Sequence, residues 1–139
     1  MKVVIDANVF ISAAIQIGPS HQIIQEWLKN GSFEIIMCNQ LFQEIYDVLI
    51  LRDRLRKWIS IEHAHEFVEM ISSLCDLVSD PTESPSVLRD IDDDYLVDLG
   101  RIHAVNFIVS GDKDLLEWVE QRPPVISPSH FATMLRLNP

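Results

Sequence analysis

Short apolar runs alternate along this chain with longer segments whose apolar residues recur at helical spacing. Five short runs predict strands, at residues 2–5, 33–38, 77–78, 107–109 and 125–126. Seven longer segments predict helices, at residues 8–16, 20–29, 40–51, 61–74, 94–104, 113–119 and 128–135. Because a helix between two strands returns the chain to the same edge of a sheet, such strands pair in parallel. The alternation therefore predicts an α/β fold, a three-layer α/β/α sandwich around a mostly parallel sheet of about five strands.

Polar residues in front of four of these helices predict where the helices begin. Ser20, Asn39 and Ser60 are candidate N-caps, whose side chains accept a hydrogen bond from an amide of the first helical turn. Ser127 is followed by Pro128, and a cap followed by proline is a common start of a helix. These four predictions depend only on residues within one helical turn of the cap.

The size and composition of the chain are those of one domain. Its 139 residues are 47% hydrophobic, so we expect one core and one domain over residues 1–139, with a loop at 79–86. No apolar run is long enough to span a bilayer, and Asp6 follows the first run too soon for a signal peptide. Cys38 and Cys75 lie far apart, without metal or redox spacing. We therefore expect a cytoplasmic protein with two buried, reduced thiols and no membrane contact.

The net charge limits how the chain can bind nucleic acid. It is −10, from 11 Lys and Arg against 21 Asp and Glu, which makes non-specific binding to phosphates weak. Binding would need bound cations or a local basic patch. One such segment contains Arg52, Arg54, Arg56 and Lys57. Two interpretations stay open, an RNA-binding patch and a solvated turn whose long side chains cover the core.

Acidic residues follow several of the predicted strands at the edge where parallel sheets bind ligands. Asp6 ends the first strand, and Asp112 follows the strand at 107–109. Glu44 lies one turn into the helix after the second strand, and Asp90, Asp92, Asp93 and Asp94 precede the helix at 94–104. Carboxylates this close need a counter-charge, and Mg²⁺ or Mn²⁺ accepts oxygen ligands. The pattern predicts a divalent metal site that activates water for phosphoryl chemistry.

Simpler interpretations compete for some of these acids. Acids in the first turn of a helix are favoured by the helix dipole, so the run Asp92–Asp94 is equally compatible with a solvated helix start. Glu44 is compatible with an ordinary exposed helical glutamate. Asp6 is harder to explain without a function, because it interrupts the chain directly after a buried apolar strand.

Taken together, these residues resemble the PIN-domain family of metal-dependent ribonucleases. The resemblance is carried in order by VIDANVF at 4–10, LFQEI at 41–45, RDIDDD at 89–94 and FIVSGDKDLL at 107–116. The terminal ISPSHF at 126–131 resembles the end of a subgroup described as toxin components of toxin–antitoxin systems. Each motif is weak alone, whereas four in order over nearly the whole chain are fairly specific.

The resemblance implies a role for each matched residue. The implied catalytic and metal-binding residues are Asp6, Glu44, Asp93 and Asp112, with Asp94, Asp90 and Asp114 as alternates. Asn8 and Ser110 would orient ligands and water by hydrogen bonds. Ala7 stands where the family often has Thr, which removes one supporting hydroxyl, and Ser110 replaces a common Thr but keeps its hydroxyl.

The expected activity is hydrolysis of RNA by a Mg²⁺- or Mn²⁺-dependent endoribonuclease, the toxin of a toxin–antitoxin pair. An antitoxin protein is then an expected partner, and the helices at 20–29 and 61–74 would form either a homodimer or part of the core. Two alternatives remain. One is a catalytically silent PIN-like binding module. The other is a phosphatase of the haloacid dehalogenase type, although Asn8 stands where that chemistry places a second Asp.

Overall fold

The computed structural model describes residues 1–81, 94–118 and 121–136. The described residues form five strands: β1 (Lys2–Ile5), β2 (Glu34–Cys38), β3 (Asp76–Val78), β4 (Phe107–Val109) and β5 (Val125–Ile126). They also form seven α-helices: α1 (Ala7–Ile15), α2 (Pro19–Asn30), α3 (Asn39–Leu51), α4 (Ile61–Leu74), α5 (Asp94–Ile102), α6 (Lys113–Leu116) and α7 (Pro128–Met134). One 3₁₀ turn, Asp53–Lys57, lies between α3 and α4.

The five strands form one sheet in the order β3-β2-β1-β4-β5, and every described pair is parallel. The central strand is β1, in which Val3 pairs with Ile35 of β2 on one side and with Phe107 of β4 on the other. Val3, Val4 and Ile5 are fully buried, as expected for a strand covered on both faces. The predicted three-layer α/β/α sandwich with a parallel sheet of five strands is confirmed.

The helices predicted to be amphipathic place their apolar faces in the core. On α3 these residues are Leu41, Ile45 and Leu49, spaced four apart and fully buried. The apolar faces of α2 and α4 are also buried within the chain, through Ile23, Ile24, Trp27, Ala64, Val68 and Ile71. Of the two uses expected for these faces, the core is the one observed.

Two of the four predicted caps are confirmed. Ser60 accepts a hydrogen bond from the amide of His63, and Ser127 accepts one from the amide of His130, both at 3.1 Å. The predictions for Ser20 and Asn39 are wrong. Proline can occupy the first helical position, so α2 begins one residue earlier, at Pro19. Asn39 is the first residue of α3, after Cys38 in the cap position.

Two helices end earlier than their sequence patterns predict, at Ile102 and Leu116. At the first of these, α5 lies so close to the segment before β5 that a β-carbon on Gly100 would be 3.0 Å from the ring of Pro123. The amide of Val105 bonds to the carbonyl of Gly100 at 3.0 Å, which closes the helix. Ala104 takes a left-handed conformation with φ 50°, so a local turn that apolar periodicity does not report ends the helix.

Two expectations drawn from composition can be compared with the structure. Cys38 and Cys75 are free and buried, as expected. Burial raises the pKa of the Cys38 thiol to about 11 and that of the Cys75 thiol to about 12. None of the helices in the described ranges has the length and apolar character needed to cross a membrane.

Candidate functional site

The candidate site begins where β1 ends. Asp6 directly follows this strand and is only 4% exposed. Its Oδ1 accepts a hydrogen bond from the amide of Asn8 at 3.4 Å, which makes Asp6 the N-cap of α1. Its own amide donates to the carbonyl of Val109 in β4 at 2.9 Å. A buried carboxylate is thus held in place by the strand behind it and the helix in front of it.

Ser110 connects this carboxylate to the end of the neighbouring strand. It is fully buried, and its hydroxyl donates to Asp6 Oδ2 at 2.7 Å. The same hydroxyl oxygen accepts a hydrogen bond from the amide of Asp112 at 3.0 Å. One side chain therefore orients the first acid and fixes the backbone of the second.

Asp112 follows β4 and begins α6. Its Oδ1 accepts a hydrogen bond from the amide of Asp114 at 2.8 Å, so Asp112 caps the helix. It is half-buried, whereas Asp114 is exposed. Because β1 and β4 are adjacent and parallel, Asp6 and Asp112 leave the same edge of the sheet side by side.

Glu44 reaches the same region from α3, where it is half-buried. Burial raises the pKa of its carboxyl, a hydrogen bond with the Tyr95 hydroxyl lowers it, and the negative charge of Asp6 raises it. Glu44 and Asp6 therefore interact although 38 residues separate them. This interaction favours the functional interpretation of Glu44 over the ordinary exposed glutamate.

The acids of this cluster repel one another. Burial is the main cause that raises the pKa of Asp6, and the hydrogen bonds from Ser110 and the Asn8 amide lower it. The charge of Asp112 raises it further. Among the described residues, none of the groups that shift the pKa of Asp6 carries a positive charge. Within the described ranges, the groups that shift the pKa of Asp6 and of Glu44 thus include other acids of the cluster and no cation.

A divalent cation fits this donor set. In the described ranges, no three His, Cys, Asp or Glu side chains are grouped closely enough to hold a metal by themselves. Mg²⁺ does not need such a group, because it is commonly held by one or two carboxylates and keeps several waters. Asp6 accepts two hydrogen bonds, and a carboxylate has about four lone-pair sites, so it retains capacity for a cation.

The third acidic block of the expected site precedes α5. Asp90, Asp92 and Asp93 lie outside the described residues, and so does the side chain of Asp94. The backbone of Asp94 begins α5, which packs against β1 and β4. The block therefore leads into a helix that lies on the two strands carrying Asp6 and Asp112.

The remaining predicted residues occupy different environments. Asn8 is exposed, and its contact with Asp6 is made by its backbone amide. Arg52, Arg54 and Lys57 are exposed. Arg56 is half-buried, and its guanidinium donates to the carbonyl of Leu49 near the end of α3.

Sequence reasoning missed two residues near this edge of the sheet. Tyr95 contributes a hydroxyl that interacts with Glu44 and lowers the pKa of its carboxyl. Asp80, which follows β3, accepts a hydrogen bond from the amide of Gln40 at 2.8 Å and so supplies the cap that Asn39 does not. The position of Tyr95 beside the acidic block could have suggested a role. No local signal pairs Asp80 with a helix 40 residues earlier.

The comparison with known families shows to which family the fold belongs. Residues 2–114 match the PIN domain. The chain belongs to the PIN domain family. PIN domains are nucleases and generally use divalent metal ions, in agreement with the acidic edge described above.

Solved structures support the PIN fold. A chain of VapBC2 from Rickettsia felis, crystallised with a DNA fragment from its promoter, aligns with a TM-score of 0.61 at 11% identity, covering 91% of this chain and 98% of that one. PAE2754 from Pyrobaculum aerophilum aligns with a TM-score of 0.64 at 16% identity, covering 99% of this chain and 91% of that one. Among curated proteins, none matches the sequence.

Proposed function

We propose that this PIN domain is an endoribonuclease that depends on Mg²⁺ or Mn²⁺ and acts in the cytoplasm as the toxin of a toxin–antitoxin pair. The observation that carries the proposal is the pair of acids at the ends of β1 and β4. The Ser110 hydroxyl joins them, at 2.7 Å from Asp6 Oδ2 and 3.0 Å from the Asp112 amide. Glu44 completes the described part of the site through its interaction with Asp6.

In this proposal the carboxylates of Asp6, Glu44 and Asp112 hold the cation, together with Asp93 or its neighbours Asp94 and Asp90. A bound divalent ion supplies an activated water and stabilises the charge that develops on an RNA phosphodiester. Ser110 keeps Asp6 in one orientation, so the carboxylate does not need to reorganise when RNA arrives. Asp114 and Asn8 are proposed to support the neighbouring ligands by hydrogen bonds.

The proposed antitoxin partner is supported by similarity and by charge. One of the similar structures is that of VapBC2 from Rickettsia felis, a toxin–antitoxin structure bound to a DNA fragment. Arg or Lys side chains pair well with carboxylates that otherwise hold a metal, so a basic segment of a partner would compete with the cation at Asp6 and Asp112. The −10 net charge favours such a basic partner.

The first test is a cleavage time course on mixed structured and single-stranded RNAs, with added Mn²⁺ or Mg²⁺ and with a chelator control. The Asp6→Asn protein is measured in parallel. Asp76→Asn is the matched control, because Asp76 is an exposed aspartate on β3, outside the cluster. We expect cleavage that requires the metal and Asp6 but not Asp76.

Other outcomes identify the alternatives. A protein that does not cleave RNA and whose melting temperature does not respond to Mn²⁺ would be a silent binding module. Turnover of para-nitrophenyl phosphate without RNA cleavage would favour the phosphatase. Metal binding that depends on Asp6, without cleavage of these RNAs, would contradict broad RNase activity and direct the search to a narrow substrate.

A further inference from the structure

The most concentrated positive charge in the described structure lies between α3 and α4. We call residues 52–58 the basic turn. It contains Arg52, Arg54, Arg56 and Lys57, four of the 11 Lys and Arg of a chain whose net charge is −10. Arg52, Arg54 and Lys57 are exposed. Such a concentration of cations on an acidic protein provides a local surface for a polyanion.

The basic turn has a defined conformation. Leu55 is 4% exposed and anchors it in the core. The amide of Leu55 bonds to the carbonyl of Arg52 at 3.1 Å, and the amide of Trp58 bonds to the carbonyl of Leu55 at 3.0 Å. Arg56 donates to the carbonyl of Leu49, which ties the turn to the end of α3. The exposed cations are therefore presented by an ordered backbone.

Trp58 is the unusual residue of this surface. Its side chain is 60% exposed, although tryptophan is generally one of the more buried residue types. It forms one wall of a groove of about 450 Å³, together with Leu28 of α2 and with Phe67 and Met70 of α4. Lys57 directly precedes Trp58, and Arg52 and Arg54 lie in the same turn. The segment therefore has the composition of a single-strand nucleic-acid platform, on which a base stacks while cations contact the backbone.

The basic turn is also within reach of the acidic cluster. Arg52 directly follows α3, and Glu44 lies eight residues earlier on that helix. At 1.5 Å per residue, this separation is about 12 Å along the helix axis. A few nucleotides of an extended strand cover such a distance. An RNA strand that reaches from the acidic cluster to the basic turn must therefore span at least this distance.

We propose that the basic turn is a docking surface for single-stranded RNA, separate from the cleavage site. Arg52, Arg54 and Lys57 contact phosphates, and Trp58 stacks on a base. Arg56 holds the turn against α3 and does not contact RNA. The choice of RNA over an acidic protein rests on the proposed function and on the exposed indole, because acidic side chains have no flat face to stack.

The test measures binding in the Asp6→Asn protein with a chelator present, so that RNA is not cut. The probe is a labelled single-stranded oligoribonucleotide of mixed sequence, titrated at several salt concentrations. Two variants alter the surface, Arg54→Glu with Lys57→Glu, and Trp58→Ala. The matched controls are Lys29→Glu, an exposed cation on α2, and Trp58→Phe, which keeps an aromatic face.

Removing two phosphate contacts should lower the slope of log affinity against log salt by about 1.4, because each contact to a single strand contributes about 0.7. Trp58→Ala should weaken binding about 5- to 150-fold, the effect of one lost stacked base, while Trp58→Phe retains most of the affinity. Lys29→Glu should leave the slope within error of the parent. Equal affinity of the parent, the double charge reversal and Trp58→Ala would overturn the proposal.

Two further results separate this proposal from the proposed function. If wild-type protein cleaves RNA but the basic-turn variants bind normally, the docking surface is wrong and the nuclease stands. If no cleavage occurs but binding depends on Trp58 and Arg54, the docking surface stands and the nuclease fails. Binding of poly-glutamate with the same dependence on Trp58 would overturn RNA as the occupant and identify an acidic protein partner.

Discussion

The acidic cluster and the basic turn are built in opposite ways. Asp6, Glu44 and Asp112 come from three separate parts of the chain. They meet because β1 and β4 are adjacent, and because α3 packs against α1, the helix that Asp6 caps. The basic turn is one continuous segment whose functional side chains are exposed. The first region uses burial and hydrogen bonds to fix charges that repel one another, whereas the second presents charges to water. In the proposed function, catalysis uses the buried, preorganised region and RNA docking uses the exposed one.

The largest effect is expected from the acids themselves. Asp112→Asn and Asp6→Asn should each abolish metal-dependent RNA cleavage, a loss greater than the roughly 10- to 100-fold that a supporting residue causes. Circular dichroism should show an unchanged fold, because asparagine is also a good N-cap. Cleavage by purified Asp112→Asn at the wild-type rate would refute the site assignment.

Substitutions of Ser110 test whether holding Asp6 and Asp112 in fixed positions contributes to cleavage. Ser110→Ala removes the hydroxyl between Asp6 and the Asp112 amide, so cleavage should fall about 10- to 100-fold. Ser110→Thr keeps the hydroxyl and should retain most of the activity. The apparent affinity for Mn²⁺, followed by titration, should weaken only in the alanine variant. Equal rates for both variants would remove this contact from the mechanism.

Arg56 is half-buried and bonded to α3, whereas Arg54 in the same turn faces solvent. Substituting each by alanine compares their contributions to stability. Arg56→Ala loses the bond to the Leu49 carbonyl and the packing of its stem, and should lower the free energy of unfolding by about 1–2 kcal/mol. Arg54→Ala should change it by less than about 0.5 kcal/mol, as is usual for an exposed side chain. Urea unfolding measures both. If the two losses were equal, Arg56 would have no special structural role.

The smallest expected effect is that of Asp6→Asn on stability. This substitution should stabilise the folded protein, although it abolishes cleavage. Burial and the Asp112 charge raise the pKa of Asp6 above its unfolded value, so the folded state retains the proton to higher pH. Without metal, the free energy of unfolding therefore decreases as pH rises from the unfolded pKa through the folded one. Asp6→Asn lacks this titration and should melt at a higher temperature than wild type at neutral pH.

The measurement is a melting series from acid to neutral pH in the presence of a chelator. The difference in melting temperature between Asp6→Asn and wild type should increase as pH rises. Asp76→Asn should follow the wild-type curve throughout, because Asp76 is exposed. A difference that decreases with rising pH would mean that Asp6 is stabilised in its charged form, contrary to the environment described here.

The parts of the fold that follow from local patterns were predictable. The strand at Phe107–Val109 was predicted with its observed bounds, because a short apolar run between polar residues has few other uses. The caps at Ser60 and Ser127 were predictable because a cap interacts with the next three residues. Asp6 and Asp112 were placed at one edge because they follow strands that are parallel.

Several missed features depend on partners outside the local sequence pattern. Asp80 caps α3 from 40 residues away, and Tyr95 influences the pKa of Glu44 across 51 residues. Arg56 looked equivalent to its neighbours, yet its guanidinium is tied to α3. A pattern of residue types contains no information on which of several similar side chains is buried, since burial depends on what the rest of the chain places nearby.

By itself, the sequence determined the alternation of strands and helices, the parallel sheet and the edge at which the acids gather, because these follow from periodicity and from chain direction. Only the tertiary structure decided how the acids are connected. The bond from Ser110 to Asp6 spans 104 residues, and the pKa of Asp6 depends on how deeply the fold buries it. Hydrogen bonds and desolvation act over a few ångströms, so they are set by packing in space and not by order along the chain.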